Sequence, residues 1–294
     1  MKPPNLRQLL RRMLLVAAVP CAALAADAPD SGAFGVGRPG IMTEYTFGDE
    51  LGFSGGSLDL QELRVLSPLW AKQDGPDIWS VSLRYTGSFL DLGNAAGFGS
   101  ADLHATDLYL DYRRLPDTGF ACWFRAAASL SGDFDGLSGD DFQASTMGIV
   151  GYRFSKSFGL LAGYHVGWLM DEIRAYGAIG LVWNPNDHWM IQLTPPVPSI
   201  SWSPVADWTF SLSAWPGSSA WNVHRQDAVE EVELTLWRAA LGVEHRFTEN
   251  FHIALRAGFN FASEIELRDA SDRVLLGKLL DNAVFGAVSL RYSF

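Results

Sequence analysis

The last twelve residues of the chain, Ala283-Val284-Phe285-Gly286-Ala287-Val288-Ser289-Leu290-Arg291-Tyr292-Ser293-Phe294, decide the fold class. The even positions of this stretch are apolar, aromatic or glycine, whereas the odd positions include Ser289, Arg291 and Ser293. Side chains two residues apart lie on the same face of a β-strand, so one face suits lipid and the other suits water. The stretch predicts a β-strand that crosses a membrane.

The segment from Phe251 to Leu267 shows the same alternation over a greater length. Its odd positions are almost all apolar, and its even positions include His252, Arg256, Glu264 and others that are polar or small. Strands of soluble proteins usually have about 5 to 6 residues, and membrane-spanning strands need about 9 to 11. The segment therefore predicts one strand, in a single phase, that extends beyond the bilayer.

The overall composition excludes membrane helices. The chain has 294 residues, of which 48% are hydrophobic and 13% aromatic, yet no apolar run approaches the ~18 residues that a membrane helix needs. The N-terminus carries four basic residues and then a short apolar core from Met13 to Ala25. This arrangement predicts a cleaved signal peptide over 1–25. Residues 26–40 are then a periplasmic lead-in, and 41–294 form the membrane domain.

Charge and cysteine content exclude other classes. The net charge is −11, and it becomes more negative when the basic signal peptide is removed, which argues against a nucleic-acid partner. Only Cys122 remains after the loss of Cys21. No intramolecular disulfide is then expected, even in an oxidising periplasm.

Alternation of the same kind recurs along the chain and predicts an all-β, closed antiparallel barrel of 14 strands. The predicted strands are 41–53, 57–69, 77–88, 104–114, 119–131, 142–154, 157–169, 175–184, 188–194, 198–203, 207–223, 232–247, 250–267 and 283–294. An even number agrees with the bacterial barrels. If the two shortest strands, 188–194 and 198–203, do not enter the wall, the count is 12.

Short and long connections alternate, which predicts the orientation. The short turns are flanked by aromatic pairs: Tyr112 and Phe120, Phe154 and Phe158, Trp183 and Trp189, Trp202 and Trp208, Phe247 and Phe251. Aromatic rings favour the depth of the lipid headgroups, so these pairs predict an interfacial girdle. Counting back from a periplasmic C-terminus puts every short turn on the periplasmic side and every longer loop outside.

The chain resembles bacterial outer-membrane β-barrels, and in particular an uncharacterised barrel family, a domain of unknown function. The resemblance rests on Leu137 to Phe142, the Asn184-Pro185-Asn186-Asp187-His188-Trp189 turn and the terminal Leu290 to Phe294. It implies a location in the outer membrane of a Gram-negative bacterium, with lipid and lipopolysaccharide around the barrel. It also implies that Leu290, Tyr292 and Phe294 form the signal that the barrel assembly machinery recognises. It implies no activity and no cofactor.

Charged residues at inward positions are predicted to line the lumen, because an arginine costs about 2 to 4 kcal/mol at the middle of the lipid. These candidates are Arg84, Asp107, Asp111, Arg113, Arg125, Arg153, His165, Glu244, Arg246, Arg256, Glu264 and Arg291. Barrels of about 8 strands are filled by side chains, and those of about 16 to 18 leave a pore. The predicted count lies between these limits, so a narrow polar channel and a plugged lumen both remain open.

Three functions are compatible with these features. We expect a narrow polar channel or passive transporter for small solutes; a structural envelope barrel and a lipid-modifying or hydrolytic enzyme are the alternatives. Catalysis would need a serine, a histidine and an orienting group within hydrogen-bonding reach. His165 with Ser129 and Ser145 is the best candidate set, although a polar wall histidine explains it more simply, and we expect no enzyme.

No metal site is expected either. The acidic loop from Asp133 to Asp141 lacks the spacing of an EF-hand, so a solvated loop is favoured over a cation site.

The hairpin at 188–203 is the weakest part of the predicted wall. Seven residues at ~3.3 Å each, tilted by ~45°, rise about 16 Å, which is well short of the ~25 Å apolar band. Pro195, Pro196 and Pro198 cannot donate hydrogen bonds to a neighbouring strand. The segment predicts a lateral notch through which an apolar or lipid-like molecule could pass. The alternative is that the hairpin extends further, or that longer neighbours bend over and close the gap.

Overall fold

The computed structural model describes residues 40–294 except 94–97, 170–171, 195–196 and 225–228. The predicted signal peptide, and all but the last residue of the predicted lead-in, lie outside the described residues. The described strands are β1 Gly40–Phe53, β2 Gly56–Asp74, β3 Asp77–Asp91, β4 Ser100–Arg114, β5 Gly119–Gly132, β6 Phe142–Ser155, β7 Phe158–Leu169, β8 Glu172–Asn186, β9 Trp189–Leu193, β10 Ser199–Val205, β11 Trp208–Pro216, β12 Ser219–Asn222, β13 Glu231–Arg246, β14 Phe251–Arg268, β15 Val274–Leu280 and β16 Ala283–Ser293. Within these ranges, no helix is long and apolar enough to cross a membrane.

The strands close into an antiparallel ring of 14. Strands β1 to β11 pair in chain order, β11 pairs with β13, β13 with β14, β14 with β16, and β16 with β1. The predicted barrel and its strand count are confirmed. The count of 12 is wrong, because the short β9 and β10 both pair with their neighbours in the wall.

Two short strands lie beyond the ring at its outer end. β12 pairs with the outer end of β13 and continues the line of β11, so the predicted strand 207–223 is present with an interruption at 217–218. β15 pairs with the outer end of β14 and leads into β16. The predicted strands leave residues 268–282 as a loop, and this prediction is wrong for β15.

A β-bulge changes the phase of β14, contrary to the single phase predicted for this strand. Trp237 lies opposite Phe261, but Thr235 lies opposite Glu264, and Ala262 adopts a φ of 49°. An extra residue in one strand exchanges its two faces beyond the bulge. Ile265 is therefore fully buried, and Glu264 lies on the exposed outer face. The prediction that Glu264 lines the lumen is wrong.

The outer surface carries the apolar band of a membrane barrel. The aromatic side chains near the periplasmic turns form a girdle, in which the Trp189 and Trp202 ring centroids are 6.0 Å apart and those of Phe247 and Phe251 also 6.0 Å. A second ring of aromatics lies towards the outer end and includes Trp237 and Phe261. About 10 residues at ~3.3 Å, tilted by ~45°, separate Phe251 from Phe261 and rise about 23 Å, close to the ~25 Å band of such barrels. The protein is a closed 14-stranded β-barrel of the membrane-spanning type.

An apolar core fills the outer end on one side of the barrel. We call it the outer cap; it consists of buried side chains at the outer ends of β1 to β4 and of β12 to β15, among them Leu51, Leu58, Leu103, Trp221, Leu234, Ile265 and Leu267. The cap residues of β13 and β14 lie beyond the outer aromatic ring, where the surrounding solvent is water. Burial of these side chains away from water stabilises the extension.

β12 crosses the mouth of the barrel to reach β5. Asn222 pairs in parallel with Gly132, and the Ser131 hydroxyl donates to the Ala220 carbonyl at 2.6 Å. A Cβ atom on Gly132 would lie 2.7 Å from the Asn222 carbonyl oxygen, so this approach requires glycine. The outer cap lies at the ends of β1 to β4 and β12 to β15, and among the described residues it includes none from β6 to β10.

Candidate functional site

The inner wall of β3, β4 and β5 carries a charged network. Asp107 accepts hydrogen bonds from the Arg84 Nε at 2.8 Å and the Ser129 hydroxyl at 2.6 Å. Asp111 accepts from the Arg125 Nε at 2.9 Å. Both aspartates are buried, so each negative charge depends on these partners. The pairing joins neighbouring strands and leaves the guanidinium groups along the lumen.

Aromatic rings fix the same guanidinium groups. The Arg125 guanidinium lies 4.3 Å from the centroid of the Tyr109 ring, and that of Arg113 lies 4.8 Å from the Trp123 ring. Arg113 also lies 3.6 Å from Asp111. Cation–π contacts hold an arginine in one orientation. The predicted lumen candidates Arg84, Asp107, Asp111, Arg113 and Arg125 thus form one connected set.

A buried ion pair crosses the lumen beside this network, between β2 and β13. Glu62 on β2 pairs with Arg238 on β13, although β1, β16 and β14 separate these strands in the ring. The exposed fraction is 2% for Glu62 and 1% for Arg238. The Arg238 Nε also donates to the Asn260 side-chain oxygen at 3.1 Å. The pair therefore fills the part of the lumen that β1, β14 and β16 line.

The alternation of β13 places Arg238 at an inward position, but Glu62 was not among the predicted lumen residues. Glu62 lies at a register shift between β1 and β2, where the alternation that assigns faces is interrupted. The inward arginine of β13 was a usable signal, because a buried arginine requires an acidic partner. The sequence alone gave no means of naming that partner.

The periplasmic end is built differently on its two sides. Below β3 to β8, an apolar cluster includes Leu115, Ile149, Leu161 and Val182. Arg153 donates to the carbonyls of Pro116 and Lys156, each at 2.9 Å, and so holds two periplasmic turns. Below β13, β14 and β16, the inner wall is polar and borders a pocket.

Four of the other predicted lumen candidates lie on this polar side. Arg256 pairs with Glu44 on β1, and Glu244 accepts from the His252 ring at 3.0 Å. Arg291 lies 3.9 Å from Glu244. Arg246 donates to the Ala206 carbonyl at 2.7 Å. The structure thus brings Glu244, Arg246 and Arg291 together at the periplasmic end, whereas Arg256 lies four residues beyond His252 on β14.

His165 does not form a catalytic arrangement with the serines considered above. Its ring stacks on Tyr176 with centroids 5.0 Å apart, and its Nδ1 is buried without a hydrogen-bond partner among the described residues. Ser129 donates to Asp107 instead. His165 is therefore a half-buried residue of the wall that stacks on Tyr176.

The acidic loop uses its carboxylates to bind other parts of the chain. Asp133 accepts from the His224 backbone N–H at 3.0 Å, and the buried Asp141 caps the turn that begins at Ser138. In the part of the chain that the structure describes, no group of three or more acidic, histidine or cysteine side chains is placed to hold a metal ion.

The wall is low at the hairpin of β9 and β10. β9 has five residues, and β8 pairs with it only from Leu181 to Asn186. The outer half of β8, 172–180, pairs with β7 alone among the described strands. The side chains of 173–180 are exposed or half-buried on both faces, with Ile179 86% and Tyr176 51% exposed. We call the gap between the outer half of β8 and the line of β11 and β12 the side opening.

The edge of the side opening is shaped by close packing and by one ion pair. A Cβ atom on Gly180 would lie 2.4 Å from the Leu193 carbonyl oxygen, so the chain leaves β9 directly against the inner face of β8. Above this floor, Arg174 on β8 pairs with Glu233 on β13 through both guanidinium nitrogens, and the Nη2 to Oε2 distance is 2.9 Å. The pair spans the side opening. Pro195 and Pro196, which helped to predict the low wall, lie outside the described residues.

Comparison with known proteins identifies no family for this chain. No family model matches the chain, and no curated protein matches it. Among solved structures, the toluene transporter TodX of Pseudomonas putida is similar with a TM-score of 0.48 and 9% identity, covering 91% of this chain and 90% of that one. A Pseudomonas aeruginosa FadL homologue has a TM-score of 0.46 and 10% identity, covering 87% and 90%. The KdgM porin in complex with disordered oligogalacturonate has a TM-score of 0.43 and 8% identity, covering 87% and 99%.

Proposed function

We propose that the protein is an outer-membrane channel for small solutes in which the side opening is a lateral route for apolar molecules. The observation that carries this proposal is the exposed strand edge at 172–180. Counted from the girdle residue Trp183, this edge lies at the depth of the lipid. Unpaired backbone at that depth is tolerated only where it borders protein or a water-filled cavity. The edge therefore supports a water-filled connection between the lumen and the side of the barrel.

The side opening has an apolar surface on its lipid side and a charged surface on its lumen side. The lipid side of β8 presents Ile173 and Ile179, which are 75% and 86% exposed. The lumen side leads to the charged and aromatic wall of Arg84, Arg125 and Tyr109. An apolar molecule can leave along the isoleucines, and a polar solute stays in the lumen.

Conductance tests the channel, and a lengthened hairpin tests the lateral route. We expect stepwise conductance from the mature protein in planar bilayers. Four residues of alternating apolar and polar character inserted after Leu193 should raise the low wall and stop transfer of an apolar dye into vesicles, while ion conductance persists. An equal insertion in the turn at 269–272, which faces the solvent, is the control. Dye transfer that is unaffected by the longer hairpin would contradict the lateral route.

The Arg174 to Glu233 pair is expected to act as a weak latch on this route. Both side chains are partly exposed, and such pairs contribute about 0.2 to 1 kcal/mol. Arg174→Gln should therefore increase the rate of dye transfer by about 1.5- to 5-fold. The exchanged pair Arg174→Glu with Glu233→Arg should restore the original rate. Arg273→Gln, which removes an exposed pair with Asp269, is the matched control.

A structural barrel with a closed lumen is the second candidate function. It is favoured by the buried Glu62 to Arg238 pair and by the outer cap, which close one side of the lumen. The same bilayer recordings separate the two candidates. A folded protein that gives neither conductance nor dye transfer would support the structural role.

The C-terminal strand also carries the residues predicted to direct assembly of the barrel. The side chains of Leu290 and Tyr292 are 37% and 51% exposed on the lipid face of β16, the strand that closes the ring against β1. We propose that the barrel assembly machinery recognises these residues with Phe294 in a Gram-negative envelope, after cleavage of the signal peptide.

A further inference from the structure

Three basic side chains form a row on the inner face at the periplasmic end of the barrel. Arg246 lies directly opposite His252, and His252 lies directly opposite Arg291. Opposed side chains in an antiparallel pair have Cβ atoms about 4.5 to 5.5 Å apart, and like charges at that distance destabilise the sheet. Two arginines flanking a histidine therefore call for negative charge nearby.

The chain supplies two carboxylates to this row. One carboxylate, Glu244, lies 3.0 Å from the His252 Nδ1 and 3.9 Å from the Arg291 Nη2. Arg246 lies 3.4 Å from Asp207. The Nε of Arg291 is buried and has no hydrogen-bond partner in the described part of the chain. Arg291 therefore has a donor that the described residues leave unused.

The basic row borders a pocket with a second unused polar group. The pocket has a volume of about 450 Å³, and its lining includes Arg246, His252, Arg291 and Ser293. Ser293 is 2% exposed, and its Oγ makes no hydrogen bond within the described residues. Buried polar groups in proteins are almost always hydrogen-bonded. Two unpaired groups at the same pocket indicate the position of a bound molecule.

We propose that this pocket binds a small organic carboxylate, held by Arg291 and Arg246 and by the Ser293 hydroxyl. Guanidinium groups form paired, charge-assisted hydrogen bonds with carboxylates. The volume lies in the range of sites for organic ligands, about 300 to 1,000 Å³. Asp207 and Glu249 also line the pocket, so a monoanion is bound in preference to a dianion. The inference extends the proposed channel function, because the pocket lies where a solute would enter the periplasm.

Calorimetric titration of the detergent-folded, full-length barrel tests this site. With benzoate as the probe, saturable binding of one molecule per barrel is expected, and benzamide, its neutral analogue, should not bind. Arg291→Gln should weaken benzoate binding at least 10-fold, because a hydrogen bond to a charged group is lost. Ser293→Ala should weaken it about 5-fold. Arg273→Gln makes the same change of charge at the opposite end of the barrel and should leave the affinity unchanged.

The outcomes separate this site from the channel itself. Equal binding of benzamide, equal binding of inorganic phosphate, or unchanged affinity in a folded Arg291→Gln variant would overturn the carboxylate site. Folding of each variant is checked by its circular-dichroism spectrum and its resistance to detergent. Benzoate binding without conductance would leave the site in place and refute the channel. Conductance without benzoate binding would support the channel and refute the carboxylate site.

Discussion

Replacement of Arg238 by methionine is expected to destabilise the barrel by about 3 to 5 kcal/mol. Arg238 is buried with Glu62 and also donates to Asn260. Methionine fills similar space but supplies no charge, so the Glu62 carboxylate loses its main partner in a site without solvent. Removing one member of a buried ion pair costs this much because the other charge stays buried. Urea unfolding of the protein from lipid vesicles measures the difference.

The double variant separates the cost of leaving the Glu62 carboxylate without Arg238 from the contribution of the intact ion pair to stability. Glu62→Leu with Arg238→Met removes both charges and should recover most of the lost stability, since apolar replacements of buried pairs are often neutral or stabilising. Arg84→Gln is the comparison, because Arg84 is more exposed and its loss should cost less. If Arg238→Met alone were as stable as the original protein, the pair would not be buried from solvent as the structure shows.

Alternation of side chains predicted the strands well because a barrel wall exposes each residue to either lipid or the interior. The boundaries of β6 and β7 are within about a residue or two of those predicted. The predictions fail where the faces of a strand no longer separate lipid from the interior of the barrel. Ala262 introduces a bulge just beyond the outer aromatic ring, and from there β14 buries Ile265 in the outer cap instead of facing lipid. Both faces of the extension meet either protein or water, so hydropathy no longer identifies the outside.

The candidate sites could be predicted only in part. Inward charges such as Arg84 and Arg125 follow from the cost of placing them in lipid. Their partners depend on register and on the curvature of the ring, which brings Glu62 to Arg238 across three intervening strands. The row of Arg246, His252 and Arg291 likewise appears only when the three strands are aligned. The short β9 was different, because strand length alone predicts a low wall.

Replacement of Trp221 by alanine is expected to cost about 3 to 5 kcal/mol and to unfold the outer cap before the membrane wall. Trp221 is 1% exposed and lies on the short β12, which crosses the mouth to reach β5. The cap residues around it are apolar, so loss of the indole leaves a cavity that the neighbouring strands cannot fill. The wall below keeps its own ladder and its contact with lipid. Local unfolding of the cap should therefore become easier than unfolding of the barrel.

Limited proteolysis of the protein in vesicles distinguishes the two events. In Trp221→Ala, trypsin should cleave near Arg268 and Arg273 at the outer end, while the barrel keeps its resistance to detergent. Leu137→Ala is the matched control, because this apolar side chain is 70% exposed in an outer loop and its loss leaves no cavity. If the Trp221 variant lost cap and barrel together, the cap and the wall would form one cooperative unit. β12 would then stabilise the whole barrel rather than the mouth alone.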